Sequence, residues 1–337
     1  MSDDLDPLSP DTALELYLNH RSGEISDQTL QTHRYRLGSF VEWCEENDFH
    51  NLNDITGRDL HAYRVERREE GDLKPVTLQG QLSTLRVFLE FCASIDAVPD
   101  DLRSKILLPT VSGEEQASVT TLDHERAEAI LEYLETYRYA SREHVVFALL
   151  WTTGMRMGSL RAIDLEDFDP ESPHVELVHR PETRATLKNK KRGERFVALS
   201  SGMASLLEDY VDNVRLDAED EYGRRPLVTT NRRRPATGTI RHWIYGVTRP
   251  CLHSECPHDR DVEECDATEY DHASKCPSSR SPHNLRSGAI TAHLLDDVPV
   301  EIVSDRMNVS QDILDRHYDR RSPREKMEQR REYLRNI

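Results

Sequence analysis

Apolar positions recur at helical spacing through the first 110 residues. Leu14, Tyr17 and Leu18 share one face of a first helix, and Leu30, Leu37, Phe40, Val41 and Cys44 mark a second that begins at Ser26. Thr56-Gly57-Arg58-Asp59 opens a third, with Thr56 as N-cap and Asp59 at the third helical position. A fourth runs from about Val76 through Leu82, Leu85, Phe88, Leu89 and Cys92. No strand-like alternation interrupts them, so residues 1–110 are expected to form a four-helix module. Pro99, Pro109 and the small polar stretch Thr110–Ser118 predict a linker over 111–120. A second domain, 121–337, starts near Thr121-Leu122-Asp123-His124-Glu125 and reads as helical to about Leu165. Between 174 and 199 the period changes. Val175-Glu176-Leu177-Val178 and Arg195-Phe196-Val197-Ala198-Leu199 look like strands, and the lysine-rich stretch 188–193, ending in Gly193, like the turn between them. Helices resume near Ser201, and no internal repeat is visible. The expected fold class is mainly α with a small antiparallel β-sheet.

Composition narrows the function classes. The apolar runs are short, Val145-Val146-Phe147-Ala148-Leu149-Leu150-Trp151 among them, and none approaches the ~18 residues of a membrane helix. The acidic N-terminus lacks the basic-then-apolar pattern of a signal peptide, which predicts a cytoplasmic protein without a membrane partner. With 62 acidic against 44 basic residues the net charge is −18, and lysine is scarce. Such a surface suits solubility in molar salt, and a halophilic archaeal host is the expectation. Overall acidity argues against a polyanion partner, since DNA affinity rests on basic contacts. The basic residues, however, concentrate in 181–195 and 316–335, where the candidate chemistry lies.

That chemistry comes as an ordered set. Arg156 follows Thr153-Gly154-Met155 at a helix break, and a guanidinium there can grip a phosphate at two points. Lys188, Lys190 and Lys191 crowd one hairpin, where a lysine could reach and protonate a leaving-group oxygen. His283 and Arg286, three apart after Pro282, share one face of a helix start. Tyr318 lies in a charged C-terminal segment and could act as a nucleophile. Taken one at a time, each of these is a surface or packing residue.

In this order and spacing the segments resemble the tyrosine recombinase, or phage integrase, family over nearly the whole chain. Thr153-Gly154-Met155-Arg156 resembles its first-arginine box, Lys190 its hairpin lysine, and His283-Asn284-Leu285-Arg286 its H-x-x-R box; Tyr318 stands at the usual separation from Arg286. The resemblance implies an N-terminal SAM-like core-binding domain and a catalytic domain of the DNA breaking-rejoining fold, clamped on duplex DNA. It further implies site-specific cutting and rejoining through a 3′-phosphotyrosine, in homo-tetramers on paired sites, with no cofactor for catalysis. Arg156 and Arg286 would hold the scissile phosphate, Tyr318 attack it, His283 act as base or phosphate ligand, and Lys190 protonate the leaving 5′-hydroxyl. Lys188, Lys191 and Arg192 are the accompanying DNA contacts. The tail 319–337 would form a helix docking on its own or a neighbouring subunit.

Two positions depart from the family pattern. Val309 occupies the slot usually held by His or Trp, and Ser159 stands where an acidic residue is common. Valine offers no hydrogen bond to phosphate, although it can pack against the tyrosine helix. Arg306 or His317 could supply the missing donor. Without one, a catalytically weakened, integrase-derived DNA-binding regulator is the alternative; a type IB topoisomerase would share the chemistry.

A Cys/His-rich insertion spans 250–277. Cys251, Cys256, Cys265 and Cys276 cluster there with His253, His258 and His272, whereas Cys44 and Cys92 read as core residues. Disulfides are not expected in a cytoplasmic protein, so the cluster points to a structural Zn²⁺, or else to free or redox-active thiols. The expected ligands are the four cysteines, with His258 as substitute.

Overall fold

The computed structural model describes residues 5–69, 73–111, 120–296 and 298–318, with 324, 327, 328 and 331 of the tail. Most of the expected linker and of the expected tail helix lies outside the described residues. The chain divides into two compact units, Met1–Ala117 and Ser118–Ile337.

The first unit contains helices α1 (Pro10–Arg21), α2 (Asp27–Glu46), α3 (Gly57–Glu69) and α4 (Pro75–Ser94). Local sequence fixes their starts. Ser9 and Ser26 cap α1 and α2 by accepting from the amides three residues on. At α3, Asp59 Oδ2 accepts from both the Thr56 amide and hydroxyl, as the Thr-x-x-Asp pattern predicts. The apolar faces enclose Tyr17, Phe40, Tyr63 and Phe88, with the Phe40 and Tyr63 rings edge-to-face at 5.3 Å. Cys44 and Cys92 are buried in this core, where desolvation pushes both thiols up to about 12.

The second unit is built around one helix. It comprises α5 (His124–Tyr137), α6 (Arg142–Thr153), α7 (Met157–Ala162), a sheet, α8 (Ser201–Asn213), α9 (Thr237–Val247), α10 (Pro282–Leu295), α11 (Val300–Met307) and α12 (Gln311–His317). Helix α6 is buried continuously from His144 to Trp151, because α5, α8, α9 and α10 pack around it. The sheet has the order β1 (Phe168–Asp169), β2 (His174–Leu177), β3 (Arg195–Ala198), all antiparallel. Val175 pairs with Val197 and Leu177 with Arg195, so these four side chains share the inward face. Helix α10 begins at Pro282, capped by a reciprocal Ser281–Asn284 box. No helix among the described residues is long and apolar enough to cross a membrane.

Gly288 sets how closely α10 approaches its neighbour: a Cβ there would lie 2.0 Å from the Leu122 carbonyl oxygen. The obstacle is backbone, so an added methyl forces the helix itself to move. Gly288→Ala is expected to destabilise the second unit by about 1–3 kcal/mol, as overpacked sites do. Thermal denaturation checks this, and an unchanged melting temperature would contradict the tight packing.

Candidate active site

Several segments of the second unit meet at the C-terminal end of α11. The first is the exit from α6. Gly154 leaves the helix at φ 56°, and its amide closes on Leu150 O at 3.0 Å. A Cβ on Gly154 would stand 2.5 Å from the Met307 sulfur, so both the dihedral and the contact favour glycine. The turn delivers Arg156 as the residue preceding α7, half-buried, with Nη1 donating to Asn308 O at 3.0 Å. Arg286, 5% exposed on α10, donates through Nη1 to the Gly154 carbonyl. Each arginine is thus held by a backbone carbonyl, and neither has a carboxylate ion-pair partner among the described residues.

The β2–β3 hairpin approaches the same helix end. Asn189 Nδ2 donates to Asn308 Oδ1 at 3.0 Å. Arg195, at the start of β3, donates through Nε to Arg306 O and through Nη1 to Gly193 O, both at 2.9 Å. Tyr318 closes the site as the C-cap of α12, its amide on Leu314 O at 2.9 Å. It packs half-buried against a cluster of Ile290, Leu294, Val303, Met307, Val309 and Leu314. Val309 therefore occupies its slot as a packing residue, only 7% exposed.

The electrostatics record how close these groups lie. Burial, reinforced by the charge of Arg156, lowers Arg286 to about 9; Tyr318 opposes the shift and Arg195 adds to it. Burial and then Arg156 lower Arg195 to about 10, with Asp305 opposing and Arg306 adding. Arg156 is itself lowered by burial, against an opposing influence of Tyr318. His283 is open to solvent at the start of α10, yet the surrounding protein holds it below the ordinary imidazole range. The charges of Arg286, Lys188 and Arg156 lower it further. A neutral imidazole beside a group of cations can accept a proton or bind an oxyanion through its N–H.

The structure brings Arg156, His283, Arg286 and Tyr318 together. Lys190 is exposed and begins a short turn, Lys190–Gly193, at φ 52°. Lys191 and Arg192 are exposed on the same turn, as is Lys188 just before it, and Lys188 is the hairpin lysine whose charge reaches His283. Arg306 is engaged through two nitrogens: its Nη1 bonds Ala198 O at 2.8 Å and its Nη2 Thr152 O at 3.3 Å, clasping β3 to α6. The His317 side chain lies outside the described residues. The sequence reading missed Arg195. The available signal was its register, since alternation places it with Val197 on the inward face of β3.

In the insertion, Cys251, Cys256, Cys265, Cys276 and His258 line one cavity of about 10 Å³. The Cys251 thiol is raised by burial, with Arg249 opposing and the other three cysteines adding to the rise. His258 Nε2 lies 3.0 Å from Ser278 Oγ. Among the described residues no three Cys, His, Asp or Glu groups stand in ready metal-holding geometry. The four thiols share a cavity but are not gathered into a coordination shell.

Residues 14–94 match the phage integrase N-terminal SAM-like domain, and residues 120–248 match the phage integrase family. The chain belongs to that family, the tyrosine recombinases. It is 25% identical over 205 residues to a tyrosine recombinase XerC of Roseiflexus sp. (strain RS-1), which is 60% of this chain and 61% of the relative. The match thus spans about three fifths of that relative's length. The fold resembles the Tn1549 transposon integrase in complex with a circular intermediate DNA. There the TM-score is 0.66 at 14% identity, over 98% of this chain and 100% of that one. It also resembles a lambda integrase tetramer bound to a Holliday junction, with TM-score 0.64 and 14% identity over 96% and 81% of the two chains.

The clasp makes a prediction that separates structure from chemistry. Arg306→Ala removes the donor to the exposed Ala198 carbonyl and the part-buried Thr152 carbonyl and is expected to cost about 0.5–1.5 kcal/mol of stability. Denaturant melts of the two proteins measure it. Equal midpoints would mean that the clasp contributes nothing.

Proposed function

We propose that this chain is a site-specific DNA recombinase that cuts and rejoins duplex DNA through a 3′-phosphotyrosine intermediate. One observation carries it: Tyr318 lies close enough to Arg156 and Arg286 to influence both, and neither arginine has a carboxylate ion-pair partner among the described residues. In the proposed step Tyr318 Oη attacks the scissile phosphorus and the P–O5′ bond breaks. The tyrosine proton passes to His283 or to water, and a hairpin lysine gives its proton to the departing O5′. Arg156 and Arg286 offset the second negative charge that develops on the non-bridging oxygens. A different 5′-hydroxyl then reverses the step, conserving the bond energy. Lys190 is the proton donor by its spacing; Lys188 is the second reading, favoured by its charge reaching His283. Lys191 and Arg192 are proposed DNA contacts on the same exposed turn. By likeness to the tetrameric lambda integrase assembly, the working unit is a homo-tetramer on two DNA sites. The retained arginine and tyrosine geometry speaks against a regulator without catalysis. The acidic, lysine-poor composition supports a cytoplasm rich in salt, so assays belong in molar salt.

The test uses nicked suicide duplexes spanning the DNA that flanks the protein's own gene. A covalent adduct is expected, and Tyr318→Phe should abolish it. Of Lys190→Ala and Lys188→Ala, the variant lacking the proton donor should recover on a duplex with a 5′-bridging sulfur, which leaves without protonation. No adduct from the parent protein on any flanking duplex would remove the proposal.

We further propose a structural Zn²⁺ in the insertion, held by Cys251, Cys256, Cys265 and Cys276, with His258 as the substitute ligand. The shared cavity of the four thiols supports it. Binding would draw the thiolates into a tetrahedral shell and release their protons. Elemental analysis of the purified chain should find one zinc per molecule, reduced in Cys256→Ser. A metal-free protein with unaltered stability excludes the site.

A further inference from the structure

We propose that Arg195 is a third cation of the phosphate site, supplying the charge that Val309 does not; this inference rests on the recombinase function proposed above. The geometry of one helix end carries it. Arg195 and Arg156 dock on carbonyls two residues apart, those of Arg306 and Asn308, at the C-terminus of α11. Arg195 reaches that point because its register with Leu177 turns it to the inward face of the sheet. Its Nε and Nη1 are committed to Arg306 O and Gly193 O, which fixes the plane of the guanidinium. Nη2 has no protein acceptor among the described residues, and it is not one of the side-chain nitrogens sealed away without a partner. A rigidly held guanidinium with both Nη2 hydrogens uncommitted among the described residues, beside another arginine and without an ion-paired acid, is built for an oxyanion.

The neighbouring side chains serve other contacts. Val309 has no donor and packs in the cluster that carries Tyr318. Arg306 engages Nη1 with Ala198 O and Nη2 with Thr152 O, carbonyls of β3 and α6 rather than of the helix end that holds Arg156 and Arg195. After burial, the charge of Arg156 lowers both Arg286 and Arg195, and Arg195 lowers Arg286 further, so the three guanidinium groups act on one another at this site. A phosphodiester carries one negative charge, and the five-coordinate transition state carries two on its non-bridging oxygens. A third cation therefore stabilises the transition state more than the bound substrate, and its loss should lower the cutting rate more than DNA affinity.

The experiment follows adduct formation on the nicked flanking duplex for the parent protein, Arg195→Ala and Arg195→Lys. Gel shifts and melting temperatures are measured alongside. Arg195→Ala is expected to cut about 100-fold more slowly, the typical cost of losing one oxyanion donor. Its affinity for DNA should change little, and Arg195→Lys should recover part of the rate. A second duplex carries a neutral methylphosphonate at the scissile position, which removes one of the two developing charges. On it the gap between the parent and Arg195→Ala should shrink. Cutting by Arg195→Ala at the parent rate overturns this inference alone. So does an equal gap on both duplexes, which would make Arg195 a mere brace between the hairpin and α11. A parent protein that forms no adduct overturns the recombinase proposal itself and this inference with it.

Discussion

The site depends on how its arginines are held. Elsewhere in the same unit several guanidinium groups are paired with carboxylates. Arg180 lies 2.6 Å from Asp167, Arg234 2.9 Å from Asp220, and Arg224 and Arg234 both grip the buried Asp164. That network neutralises itself and leaves nothing for a ligand. Arg156, Arg195 and Arg286 are anchored on backbone carbonyls instead. A carbonyl fixes direction but supplies only a partial charge, so the cations stay available. Two unit charges 4 Å apart repel by about 4 kcal/mol at an effective dielectric near 20, so cations gathered in one place favour an anionic partner. An incoming phosphate relieves that repulsion. In a chain of net charge −18, a positive site survives because the acids are kept off these few residues.

Helix α11 makes this possible. The last carbonyls of a helix have no internal partner, and they sit at its negative end. Here Arg156 and Arg195 complete those of Asn308 and Arg306, so one short helix end positions groups from α7 and β3. Asn308 turns the chain at φ 50°, and Val309 follows into the apolar cluster that carries Tyr318. Tyr318, the proposed nucleophile, and the arginines around it are thus tied to one structural point, with Gly154 packed against Met307 one residue away.

The sequence made the helices legible wherever an apolar stripe coincided with a capping residue, as at Ser26 and Thr56. It also revealed the two longer strands through their alternation. Strand β1 escaped because two residues are too short for any period to show. The ordered motif pointed to Arg156, His283, Arg286 and Tyr318, since each sits at a helix terminus that local sequence defines. The hairpin was harder. Strand register depends on pairing across the turn, so spacing alone could not say which lysine approaches His283, whereas the alternation of Arg195 with Val197 did mark its inward side. Proximity along the chain marked Arg306 as a donor, and only the fold reveals that its Nη1 and Nη2 bond Ala198 and Thr152.

The insertion bears on the same geometry from the other side of α10. Its last residues are stitched to the unit through backbone groups. Arg126 donates to Thr248 O and, at 2.6 Å, to Ser278 O, and the Arg280 amide donates to Thr248 Oγ1 at 2.9 Å. Ser281 follows immediately as the N-cap that starts α10, and His283 stands in the first turn beyond it. Any restraint on Cys276 is therefore transmitted over a few fixed residues to the imidazole. The cysteine cavity lies outside the arginine cluster, and Cys276 stands five residues before the N-cap of α10. The segment is built of short 3₁₀ turns, held by these bonds and by the buried Ala267 and Ala273, and its four thiols share one cavity beside that anchorage.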